Sequence, residues 1–256
     1  MLNGQPPSQY RKNGVAVAPA TPVEDYLVFL REQLAAIYRS ARKVRPWLLW
    51  ELHNPWSRSA SVADSWKFLE LCQSKALLSL ITPFIGEDII LFDSQFSPDL
   101  GEAGKPSLQN DRLRCPAEPL RGLVVRIPFA GPANHGAKFI CKADQSKSQT
   151  VEYGIGSIVC HNMDLDYQVI AGPGCTQQPF EYVIRYFPAT SLYLRDPTAK
   201  PHIQLTERLP LLNYAQMPLW LVQGEDKAGN DFATGFQPKA GRWISRPDPP
   251  VPAASG

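Results

Sequence analysis

Apolar residues recur three or four positions apart at Tyr26, Leu27, Leu30, Leu34 and Ile37 in TPVEDYLVFLREQLAAIYRSARK, the period of a helix with one buried face. Thr21, Pro22 and Glu24 precede them in the spacing of a capping box with proline in the first turn, which predicts a helix opening at residue 21. SVADSWKFLELCQ and KALLSLITPFIG predict two shorter helices, the second closed by Pro83 and Gly86. RPWLLWELH, residues 45–53, lacks caps and reads as a strand, with a buried helical turn as the alternative that periodicity leaves open. DIILFDSQF, residues 88–96, also reads as a strand.

Beyond residue 96 the texture changes. LVVRIPF, AKFIC, TVEYG, SIVCHN, YQVIAG and FEYVIRYF are short β-like runs separated by Gly, Pro, Asn or Ser clusters, the spacing of an antiparallel sandwich or barrel. The chain therefore reads as one mainly β domain over 21–245: helical support at 21–86, a β core at 88–195 and a C-terminal cover at 196–245. Trp220, Phe232, Phe236 and Trp243 give that cover the apolar mass to pack back on the domain. Residues 1–20 are expected to be a flexible N-terminus, and the Pro-rich residues 246–256 a disordered tail.

Composition narrows the function classes. With 44% hydrophobic and 20% charged residues and a net charge of +2, the chain has no bulk electrostatic preference for nucleic acid or an anionic membrane. No stretch approaches the roughly 18 apolar residues of a membrane span, and the start lacks the apolar run of a signal peptide. Cys72, Cys115, Cys141, Cys160 and Cys175 are odd in number and form no CxxC pair, so reduced thiols in a cytoplasmic protein are expected, not disulfides or a zinc ribbon.

Candidate chemistry centres on SLQNDRLRCPAEPLRG. The helix pair, EDIILFDSQF, the loop to Gln109-Asn110-Asp111, GSIVCHNMDLDYQV and VIRYFP together resemble the phytanoyl-CoA dioxygenase-like branch of the Fe(II)/2-oxoglutarate oxygenases over roughly residues 45–195. The resemblance implies a double-stranded β-helix (jelly roll, cupin-like) with an N-terminal helical layer. It also implies Fe(II) and 2-oxoglutarate as the family cofactors and small molecules of secondary metabolism among the family's substrates. In the family a His-x-Asp motif supplies two iron ligands. Here Gln109 takes the histidine's place and Asp111 alone remains, with Arg114, Cys115 and Pro116 where an aromatic pair and a proline would be. Gly156 and His161 match the spacing that leads to the second histidine ligand, and that place holds Tyr167. The arginine that clamps 2-oxoglutarate would fall near Gln178 and Pro179, leaving Arg185 as a displaced substitute.

Two imidazoles and a carboxylate hold ferrous iron, whereas an amide is a weak neutral donor and a phenol of pKa about 10 must first lose its proton. The degenerate positions Gln109, Asp111 and Tyr167 are therefore expected to hold no stable Fe(II), and no cofactor is assigned. A lone buried Asp111 would have a raised pKa unless Arg112, Arg114 or Arg126 pairs with it. With Tyr167 and His161 it would then form a catalytic acid/base group, and Gln109, Arg114, Cys115, Arg126 and Arg185 would contact substrate. The reading that follows is a small, largely apolar metabolite in the barrel mouth. That metabolite undergoes metal-independent isomerase, cyclase or lyase chemistry, or is merely held by a silent partner of an active homologue. An active dioxygenase with nonstandard ligands and a non-enzymatic interaction module are the alternatives, and a further one is that the same residues simply hydrogen-bond one another. No Lys/Arg cluster around a glycine loop suggests a CoA phosphate site, which favours a free molecule over a thioester. His161 has a structural alternative in its strand-like run. His135 is expected to be exposed in PANHG, His53 to fix the loop after its strand, His202 to lie in the irregular C-terminal part, and Cys115 and Cys160 to flank the cavity.

Overall fold

Residues 6–19, expected to be flexible, instead build a helix, α1 (Pro6–Asn13), and a strand, β1 (Val15–Pro19). The strand is held because Val15–Pro19 completes an antiparallel ladder with His161–Ser157. The structure is a computed structural model that describes residues 6–40, 44–97, 109–130, 137–144, 147–171, 180–200, 202–203 and 214–232. Phe236, Trp243 and the Pro-rich tail lie outside these residues.

Thr21–Tyr26 forms a 3-10 turn whose N-cap, Ala20, makes no side-chain cap bond, so the expected capping box is absent. The apolar stripe then does what its period requires, with α2 (Leu27–Ser40) burying Leu27, Phe29, Leu30, Leu34 and Ile37. Asp64 accepts from Lys67 N (3.2 Å) to start α3 (Ser65–Cys72), and Ser74 accepts from Leu77 N (3.4 Å) to start α4 (Lys75–Ile85). Pro83 lies inside α4 and does not end it, since proline removes only its own N–H from the ladder. Termination falls to Gly86, at φ +95°. Of the two readings open for residues 45–53, the helical turn is the observed one: Pro46–Leu49 is a 3-10 turn, followed by a lone bridge from Trp50 to Gln95.

The β-like runs become β2 (Ile89–Ser97), β3 (Gln109–Asn110), β4 (Ala117–Glu118), β5 (Leu123–Ala130), β6 (Ala137–Asp144), β7 (Lys147–Tyr153), β8 (Ser157–Asn162), β9 (Asp166–Ala171), β10 (Phe180–Pro188), β11 (Leu192–Tyr193) and β12 (Trp220–Gln223). They form a six-stranded sheet in the order β1-β8-β5-β10-β2-β12, a facing four-stranded sheet β3-β9-β6-β7, and a ribbon β11-β4. Every pairing is antiparallel.

Period-two alternation sorts the large sheet. Leu123, Val125, Ile127 and Phe129 of β5 pack under α2, α3 and α4, while Val124 and Arg126 face the space between the sheets. Phe139, Tyr153, Tyr167 and Val169 of the small sheet meet Val15 and Val159 across that space. Tyr214, Met217, Leu219 and Phe232 pack with Ile90, Phe92 and Phe187 in a second apolar cluster. Among the described residues no single helix is long and apolar enough to cross a membrane.

Gly224 ends β12 at φ +75°, and a Cβ there would stand 2.7 Å from Glu87 O and 2.8 Å from Asp88 Cα. Gly224→Ala is expected to cost about 1–3 kcal/mol through backbone strain alone, read as a lower urea midpoint with an unchanged slope.

Candidate functional site

The ladder between Gln109-Asn110 and Tyr167-Asp166 brings the QND turn against β9. Asp111, one residue beyond β3, thereby lands beside the phenol of Tyr167, whose hydroxyl donates to Oδ2 at 2.8 Å. Arg185 of β10 reaches the other oxygen, Oδ1, through Nε at 2.9 Å and Nη2 at 2.7 Å, and gives Nη1 to Asp93 Oδ2 at 2.7 Å. On the opposite side Arg126 Nη2 donates to the Tyr167 hydroxyl at 2.7 Å, while its Nη1 pairs with Glu181, which also accepts from the Tyr153 hydroxyl. Asp93, Arg185, Asp111, Tyr167, Arg126, Glu181 and Tyr153 thus form one continuous buried chain of contacts from sheet to sheet.

Its electrostatics follow from burial and pairing. Burial alone would raise the Asp111 carboxyl, but Arg185 outweighs it, with help from His161, Arg114 and Arg126, and holds the group below the usual carboxylate range. Asp111 is therefore ionised at neutral pH. Tyr167 moves the other way, pushed up to about 12 chiefly by burial, so its phenol keeps the proton it donates to Asp111. Burial lowers His161 to about 3, leaving a neutral imidazole. Its Nδ1 lies 3.1 Å from Asn162 O, its ring packs on Phe139 and Tyr167 at 4.8 and 4.7 Å, and its buried Nε2 has no partner among the described residues.

The structure unites Asp111, Tyr167, His161, Arg126 and Arg185. It separates the others. Gln109 faces its ladder partner through the backbone only, and its side chain is exposed. Neither Arg112 nor Arg114 is the expected direct partner of Asp111: Arg112 Nε pairs with Asp164 at 2.9 Å on the surface, and Arg114 donates to Gln95 Oε1 at 2.8 Å. Arg126 acts through Tyr167, and the guanidinium that touches Asp111 belongs to Arg185. Cys115 is buried among apolar residues of the inner core, its thiol pushed up by burial. Cys160 faces the helices and does not flank the inner space. His53 Nδ1 meets Ser94 Oγ at 2.9 Å, and His202 Nε2 meets Leu194 O at 2.6 Å. His135, Gln178 and Pro179 lie outside the described residues. The sequence reading missed Asp93, Glu181 and Tyr153, although a charge inside an otherwise apolar strand run is itself a signal that a partner waits across the core.

Among the described residues no three His, Cys, Asp or Glu side chains gather as metal ligands. The donor set around Asp111 is a guanidinium and a protonated phenol, where the iron-binding arrangement has two imidazoles.

No protein-family model matches the chain, and no curated protein does. Solved structures do match. The non-heme monooxygenase ThoJ in its nickel complex aligns with TM-score 0.58 and 14% identity over 96% of this chain and 90% of that one. CytC3 with Fe(II) and alpha-ketoglutarate gives 0.57 and 14% over 90% and 92%. The alpha-ketoglutarate dependent carbocyclase SnoK, from nogalamycin biosynthesis, gives 0.55 and 14% over 83% and 92%. The fold is a double-stranded β-helix. Its structural neighbours are enzymes of the non-heme iron, 2-oxoglutarate-dependent oxygenase family, and at this identity the likeness is one of fold.

Arg185→Ala leaves two buried carboxylates unpaired and is expected to cost about 3–5 kcal/mol, whereas Tyr167→Phe is expected to cost about 1–3, both measured by denaturant unfolding. The pH dependence has three parts, one of them Glu51, raised to about 7 chiefly by burial, whose contribution grows as pH drops from about 7 toward 4.5 and opposes that of the histidines. His161 and His53, both lowered to about 3, take up protons in the unfolded chain first, so stability falls as pH drops from about 6.5 toward 3. Asp111, lowered, contributes stability that is present above about pH 4 and is lost below it. In unfolding curves from pH 7 to 4, His161→Phe is expected to remove about half of the histidine slope.

Proposed function

We propose that this chain is a phytanoyl-CoA dioxygenase-like protein whose barrel works without iron, holding a small, largely apolar metabolite at its mouth. One observation carries the reading: the guanidinium of Arg185 bonds Asp111 and Asp93 together, so the cation facing the remaining family carboxylate is a side chain. Guanidinium does not lose its proton in proteins, and a ferrous ion would have to displace it while drawing on a phenol that stays protonated and an amide that points to solvent. The residues present do not fit Fe(II), and no step is routed through it.

Ionised and bonded at both oxygens, Asp111 is also a poor proton acceptor near neutral pH, so its role is to brace the barrel and not to act as the acid/base group. This supports either a silent partner of an active homologue or a metal-free enzyme whose proton-transferring group lies elsewhere. The buried thiols Cys72, Cys115, Cys141 and Cys160 fit a reducing, cytoplasmic setting. Neither nucleic acid nor a membrane belongs to the proposal, and a free small molecule fits better than a thioester.

Anaerobic purification with Fe(II) and 2-oxoglutarate, followed by metal analysis and absorbance spectroscopy, is the deciding measurement. Far less than stoichiometric iron, no charge-transfer band and no succinate are expected. Stoichiometric iron with consumption of the keto acid would restore the dioxygenase reading.

A further inference from the structure

Between the C-terminal half of α4 and the end of β12 lies a cleft of about 470 Å³, a volume in the range of small-molecule sites. Ser79, Thr82 and Pro83 of the helix line it, with Glu87 and Asp88 of the turn into β2 and Gln223 and Gly224 at the strand end. None of these residues belongs to the buried polar chain of the barrel. Ser79, Pro83 and Glu87 are exposed, so the cleft is open to solvent. Its wall is tied together on the inner side. Gln223 Nε2 donates to Thr82 Oγ1 at 3.2 Å and to Glu87 O at 3.0 Å, and Glu225 N donates to Asp88 Oδ1 at 2.9 Å. Gly224, at φ +75°, allows the strand end to lie against the Glu87-Asp88 backbone.

The hydrogen-bonding groups along this cleft divide unevenly. Its donors are engaged: both N–H groups of the Gln223 amide on the two acceptors just named, the Thr82 hydroxyl on Leu78 O at 2.7 Å, and the neighbouring Lys227 ammonium on Asp88. Acceptors are left over. Gln223 Oε1 and the Glu87 carboxyl receive no hydrogen bond among the described residues. Pro83 adds a third acceptor, because it has no N–H and the helical bond from residue 83 to Ser79 O cannot form. Helix carbonyls point toward the C-terminal end, so Ser79 O is directed at Pro83, and both residues line the cleft.

Charge has the same sign. The two turns carry Glu87, Asp88, Glu225 and Asp226 against Lys227, and the C-terminal end of α4 adds the negative pole of its dipole. The chain already seats one ammonium here: Lys227 is held above its usual range by its bond to Asp88, with Glu225 and Glu87 adding to it.

An alkylammonium group carries three N–H donors and no acceptor, the complement of a cleft whose unpartnered groups accept. We propose that this cleft binds a small primary alkylammonium ion. Glu87 and the acceptors left free at Ser79 and Gln223 hold its nitrogen, and its carbon chain lies against the Pro83 ring. The site is separate from the barrel interior, so it stands whether or not the barrel holds iron.

The test titrates full-length protein with n-butylammonium chloride and follows backbone amides by NMR. Tetramethylammonium chloride, which has the charge but no N–H, and sodium chloride at equal ionic strength run beside it. Saturable shifts at Ser79, Thr82, Glu87, Gln223 and Gly224 are expected from butylammonium alone, with a Kd on the order of 1–10 mM. Glu87→Gln is expected to weaken binding about threefold or more. Pro83→Ala returns an N–H to Ser79 O and is expected to weaken binding about threefold while melting no lower than wild type, which separates a lost acceptor from lost folding. Shifts that do not saturate, equal shifts from tetramethylammonium or sodium, or wild-type affinity in either variant would overturn the assignment.

Discussion

The guanidinium of Arg185 sits between Asp93 and Asp111 in the interior, and the remainder of the buried polar chain depends on it. Without that charge Asp111 could not stay ionised inside the protein, and an ionised Asp111 is what the Tyr167 hydroxyl donates to. Tyr167 in turn accepts from Arg126, and Arg126 is neutralised by Glu181. Three carboxylates and two guanidinium groups are thereby taken out of water together. Each ion alone would cost several kcal/mol to desolvate, so the arrangement is stable only as a complete set. Such a set need not add net stability over an apolar core, but it admits only one registration of the two sheets, because any slip would strand a charge.

The same constraint decides the chemistry open to the site. An iron oxygenase keeps a carboxylate and two imidazoles turned toward an exchangeable ion. Here the carboxylate is turned toward a permanent one. The scaffold survives because it is held by strand pairing and by the apolar layers on both faces of the large sheet, neither of which needs the metal.

Much of the frame was legible along the chain. The short β-like runs LVVRIPF and FEYVIRYF between turn-forming clusters identified strands, and the stripe from Leu27 to Ile37 identified a helix with one buried face. Local signals misled where packing overrode them. Thr21 and Glu24 had the capping spacing but formed a 3-10 turn without the box, and Pro83 was absorbed into its helix. Val15–Pro19 carries little of its own to mark it as a strand, yet it pairs because β8 presents an open edge.

The candidate site divides in the same way. The sequence supplied, through the family resemblance, the expectation that Gln109 and Tyr167 stand where that family has imidazoles while Asp111 remains, since ligand chemistry follows from side-chain type. Which arginine bonds Asp111 was decided only in three dimensions: Arg112 and Arg114 are near in sequence but bond Asp164 and Gln95, while Arg185 lies 74 positions along the chain and meets it directly. The direction of the Asp111 shift depends on distances between strands far apart in sequence. Electrostatic energy follows separation in space, and spacing along a chain does not report it.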